Sequence, residues 1–132
     1  MRQDYGLYFD GQLSRGVPAG APQILRDAAL DVMNLVPPYW RSDARFFLVS
    51  STMQMVVFPY LQVEGGKNSL RQSQLWQPLE ADLTEIVSRA ERIAQDRGRP
   101  YVSATSVVAA LGQLAPQLQT TAFQIWGPNQ GP

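Results

Sequence analysis

Neither cysteine nor histidine occurs in this chain. Without cysteine there are no disulfides and no thiolate chemistry. Without histidine, Ser-His-Asp and Cys-His arrangements fall away. So do His-containing zinc sites and the side chain best suited to acid–base work near neutrality. Lysine is scarce too, with arginine outnumbering it ten to one. Neither a Walker spacing nor a GxGxxG occurs, so Gly65-Gly66 is not a phosphate loop. Enzyme chemistry would have to run on carboxylates, Arg, Tyr, Ser or Lys67. The sequence therefore reads as a non-enzyme, with no catalytic residues, no metal and no cofactor.

The 132 residues suit one domain and are enough chain for a real core. Apolar content of 45% is ordinary for a globular protein. Formal net charge is zero and the pI is about 6.2, so nucleic acid is not the expected partner. Residues 1–20 carry Asp4 and Asp10 and no apolar core. No signal peptide is expected from them, and the expected location is cytoplasmic. Residues 1–126 are read as a single globular domain and 127–132 as a disordered tail.

The most legible stretch is Gln77 to Ala115. Leu79, Leu83, Ile86, Val87, Ala90, Ile93 and Ala94 form one stripe of a 3.6-residue repeat. Asp82, Glu85, Arg89, Arg92 and Asp96 take the opposite face. Glu85 and Arg89 sit four apart, acid first, the better orientation for a helix pair. Pro78 suits a first helical position and Gly98 a left-handed stop, which predicts a long amphipathic helix over 78–98. Tyr101-Val102 reads as an extended link and Ser103 as the N-cap of a second helix. Val107, Val108, Leu111 and Ala115 are expected to share that helix's inner face.

Ile93, Ala94, Gly98, Arg99, Val102, Ser103, Val107, Val108, Ala110 and Leu111 carry a resemblance to the second half of the histone fold. The same look occurs in the lid subdomain of AAA+ ATPases. The resemblance implies a long helix, a link and a short helix, with two long helices crossing in a dimer. A histone fold also has a short first helix just before the long one. Here the candidate first helix lies some forty residues upstream.

Elsewhere the pattern is coarser. Residues 4–13 alternate as a short β segment ending in an Asp10-Gly11 turn signal. Residues 22–36 predict a helix stopped by Pro37-Pro38. Tyr39-Trp40 reads either as a recognition patch or as aromatics folding back to cap the core. Phe46 to Val63 runs eighteen residues without a charge. It predicts a buried central helix, or else a hairpin over 46–63 that would make the fold α+β. Its polar interruptions and Pro59 argue against a membrane span. Pro116 is read as the start of a last short helix, with Leu118, Ala122, Ile125 and Trp126 on one face. The expected class is mainly α, a small helical bundle with a short N-terminal β segment.

This apolar supply exceeds one stripe per helix. The sequence thus predicts a protein–protein association module, forming a homodimer or meeting a dedicated partner. Trp76, Leu79, Leu83, Ile86, Tyr39 and Trp40 are the expected contact residues. Two alternatives stay open. One is a histone-fold-like nucleic-acid binder using Arg89, Arg92, Arg97 and Arg99. The other is a small-ligand-binding or catalytic domain with an aromatic pocket among Tyr39, Trp40, Phe46 and Phe47.

Overall fold

The computed structural model describes residues 23–60 and 69–130, with side chains described through Leu118. Four α-helices carry these residues: α1 (Gln23–Met33), α2 (Ser42–Thr52), α3 (Trp76–Asp96) and α4 (Ala104–Gln130). A π-helical segment, Met53–Val57, continues α2, and a 3-10 turn, Leu70–Gln72, precedes α3. No strand occurs among the described residues, so the chain is mainly α, a small helical bundle. The β segment expected at 4–13 lies outside them. α3 packs along α4, and α2 with its π extension lies against α1 and α4.

The hairpin alternative does not hold, because residues 46–60 are helical. The reason is burial on nearly all sides. Leu48, Val49, Met53, Val56, Val57 and Tyr60 are in the core, and Phe46, Phe47, Met55 and Phe58 pack against it. Of residues 46–60, Gln54 alone is exposed. A helix satisfies its own backbone, so an apolar segment can be surrounded by neighbours without unpaired amides. Arg41, in extended conformation, takes the N-cap position, and the Asp43 carboxylate accepts the Ala44 N–H at 2.8 Å. The Phe58 N–H reaches back to the Met53 carbonyl, one residue further than in an α-helix. Just before this wide turn, the buried Thr52 hydroxyl has no hydrogen-bond partner among the described residues.

α1 ends at Met33, earlier than Val36, because the chain tightens there. The N–H groups of Leu35 and Val36 bond to the carbonyls of Val32 and Met33 at 3.0 Å. Val36 still reaches the core from this turn.

α3 starts at Trp76, two residues before Pro78, and ends at Asp96. Pro78 fits the first turn because amides there have no partner within the helix. Leu79, Leu83, Ile86, Ala90 and Ala94 form its buried stripe. Each leucine removed from water here contributes about 1.5–3 kcal/mol. Gly98 has φ +69°, and its N–H and that of Arg99 bond to the carbonyls of Gln95 and Ala94, each at 2.9 Å. These paired bonds close the helix and satisfy carbonyls that would otherwise be open.

α4 is capped by Ser103, whose carbonyl accepts the N–H of Ser106 and of Val107. Its inner face is Val107, Ala110, Leu111 and Leu118, with Leu114 packed beside them. Val108 was expected on that face and is instead 50% exposed. One residue on, a helix has turned by about 100°, so Val107 and Val108 cannot both point inward. Pro116 does not start a new helix, because α4 runs through it to Gln130 and so also through the expected tail. The cost is one missing donor for the Gly112 carbonyl. Gly112 is exposed, so water can supply that donor. The expected face of Ala122, Ile125 and Trp126 lies outside the described side chains. No helix among the described residues is long and apolar enough to cross a membrane.

Candidate functional site

Pro37-Pro38 ends α1 and sends the chain into a turn, in which the Trp40 N–H bonds to the Pro37 carbonyl at 3.2 Å. The turn aims two aromatic donors at one acceptor on α3. The Tyr39 phenol donates to Glu91 Oε2 at 2.7 Å, and the Trp40 indole N–H to the same oxygen at 3.1 Å. Both readings of this dipeptide therefore apply, one to each residue. Trp40 is 4% exposed and closes the core, while Tyr39 is 76% exposed. The hydrogen bond to Glu91, with that carboxylate's charge and slight burial, holds the Tyr39 phenol above its ordinary pKa of 10.0. Near neutrality Tyr39 is thus a donor and not a base.

The next residue continues the site. The Arg41 guanidinium lies 4.7 Å from the centre of the Tyr101 ring and 3.5 Å from the Asp43 carboxylate. Tyr101 is 42% exposed, at the end of the α3–α4 turn that carries exposed Arg97 and Arg99. One end of the bundle thus offers two tyrosines and three arginines. Across 89–99 four arginines face two acids, Glu91 and Asp96. Glu91 is already engaged with Tyr39 and Trp40. That leaves this end with positive character although the whole chain is neutral.

The other expected contact residues are placed differently. Leu79, Leu83 and Ile86 are wholly inside the single chain, under the covering face of α4. A second molecule could not touch them without opening the core. Trp76 is half-buried at the start of α3, with Arg71 5.8 Å from its ring centre. Arg89 is half-buried and bonds to Gln113 on α4. Beside it Gln117 bridges Asp82 and Glu85 at 3.2 and 3.1 Å, so this stretch is a polar seam between two helices. Arg92, Arg97 and Arg99 remain exposed. The expected aromatic pocket is closed, because Trp40 is core and Phe46 and Phe47 pack against it.

Three members of this end were absent from the expected set: Arg41, Glu91 and Tyr101. A signal existed for Glu91. It lies beside the Ala90–Ala94 stripe, and a buried indole N–H needs an acceptor. Tyr101 follows a Gly-Arg-Pro turn, which lies on a surface by nature. α4, at 27 residues, is longer than the short helix a histone-like unit carries after its link. No family model, curated protein or solved structure matches the chain.

Proposed function

We propose that this protein is a non-enzymatic association module that docks a partner protein on its Tyr39–Arg41–Tyr101 end. The observation carrying this reading is Tyr39, a large ring mostly in solvent yet held in place by Glu91. An aromatic fixed before binding loses little side-chain entropy on docking. Tyrosine and arginine are also the residue types that concentrate binding energy at interfaces. Arg41, Arg97 and Arg99 favour a partner whose contact surface is acidic. A hetero-partner fits better than a second copy, because two copies meeting here would oppose like charges.

The test uses the purified chain, a set of immobilised acidic peptides containing Asp, Glu and aromatic residues, and a labelled DNA duplex. Acidic peptides should be retained, and Tyr39→Ala or Arg41→Ala should weaken retention at least tenfold with helicity unchanged. Light scattering should report a monomer. Retention of the duplex instead, with the same arginine dependence, would replace this reading with the histone-like nucleic-acid one. No retention of either ligand by a monomeric chain would remove both.

A further inference from the structure

A second feature lies away from this end, where the last turn of α1 meets the 3-10 turn and the start of α3. A cavity of about 310 Å³ opens there, lined by Asp31, Asn34, Leu35, Arg71, Trp76 and Glu80. Its size falls at the lower end of the about 300–1,000 Å³ that small-molecule sites occupy. Local sequence explains the lining. Trp76 and Glu80 are one helical turn apart on α3 and share a face. Asp31 and Leu35 are likewise four apart across the end of α1. Arg71 projects from the short 3-10 turn, its guanidinium 5.8 Å from the Trp76 ring centre.

The charges are unusual in what they leave undone. One guanidinium and two carboxylates line the same space, yet among the described residues no ion pair joins Arg71 to Asp31 or Glu80. Burial raises the Asp31 carboxyl above its ordinary pKa, and Arg71 acts against that rise through space. Opposite charges thus sense one another across a gap that neither fills.

Ligand classes can be sorted on this lining. An anion such as phosphate meets two carboxylates for one arginine. A simple cation is drawn to the carboxylates and repelled by Arg71. An apolar molecule finds only Leu35 and the Trp76 ring. A dipolar molecule satisfies every group, with its carboxylate on Arg71, its ammonium on Asp31 and Glu80, and its carbon skeleton on Trp76. We propose that this cavity binds a small zwitterionic amine–carboxylate of amino-acid size.

The test follows intrinsic fluorescence and melting temperature of the full chain. The probes are the common free amino acids, β-alanine and γ-aminobutyrate. Each is compared with its carboxamide, which lacks the anion, and its N-acetyl form, which lacks the cation. At least one zwitterion should saturate below ~1 mM and raise the melting temperature, with both blocked forms at least tenfold weaker. Arg71→Gln and Asp31→Asn should each weaken it to a similar degree while circular dichroism stays unchanged. Trp76→Phe should abolish the fluorescence response. Equal binding of a zwitterion and its carboxamide would make this a simple cation site and overturn the proposal. So would the absence of saturable binding by any zwitterion. The comparison of free and blocked ligands on the wild-type chain decides the matter even if a variant fails to fold.

Discussion

The Tyr39 hydroxyl and the Glu91 carboxylate meet at 2.7 Å across fifty-two positions of sequence. That contact, with the Trp40 indole on the same oxygen, ties the α1–α2 turn to the middle of α3. The buried donor matters most. Removing Glu91 leaves the Trp40 N–H enclosed without its acceptor, a loss of about 1–3 kcal/mol. Glu91→Ala should therefore lower the denaturant midpoint clearly. Glu91→Gln keeps a carbonyl acceptor and should recover most of the loss.

Tyr39 gives the same contact a pH dependence. Its folded-state pKa is raised, so the bond contributes fully below the ordinary value of 10.0 and is lost as pH rises through the raised value. Ultraviolet titration of the tyrosines should show one group ionising late. Glu91→Gln should bring that group back toward 10.0. No late-ionising group, or one indifferent to Glu91, would contradict the assignment.

Leu83 and Val108 make an opposed pair. Leu83→Ala opens a cavity under α4 and should cost about 2–5 kcal/mol. Val108 is half in solvent, and Val108→Ala should stay within about 0.5 kcal/mol. Urea denaturation of both variants checks the inner face of α4 and of α3 together.

Gly98→Ala should destabilise by about 1–2 kcal/mol, the cost of a side chain in the left-handed region. Nothing lies within 4 Å of the added Cβ, so crowding adds nothing. Gly112→Ala is the control: its helical position is equally open, and it should stabilise by up to about 1 kcal/mol.

Thr52 is buried with its hydroxyl unpartnered among the described residues. Thr52→Val keeps the shape and removes the unmet group. It should raise stability by about 1 kcal/mol. A loss on calorimetric melting would mean that the hydroxyl has a partner.

The legible parts of this fold are those fixed by neighbours in sequence. The Leu79–Ala94 stripe shows its period directly, and Gly98 marks a stop because few other residues take that backbone angle. The charge-free run at 46–60 marks a buried helix for the same kind of reason. What the pattern missed depends on partners far along the chain. Glu91 sits on a charged helix flank until Trp40 arrives from fifty-one positions away. Val107-Val108 is two apolar residues in a row, and only packing decides which one turns inward. Pro116 locally reads as a boundary, and α4 nevertheless continues because its inner face holds Leu114 before it and Leu118 after it.

The wide turn at Met53–Val57 makes the chain sensitive to its own residue count. Met53 and Phe58 span one residue more than an α-helical bond does. Deleting any residue within that turn would give a more regular helix and a worse protein. Everything after it would swing by about 100°, carrying Tyr60 out of the core and Phe58 away from its packing. An added residue would swing them the other way. Point substitutions that keep volume are tolerable here, but length is not negotiable. The reading frame of side-chain direction from Phe58 onward is set by one supernumerary residue.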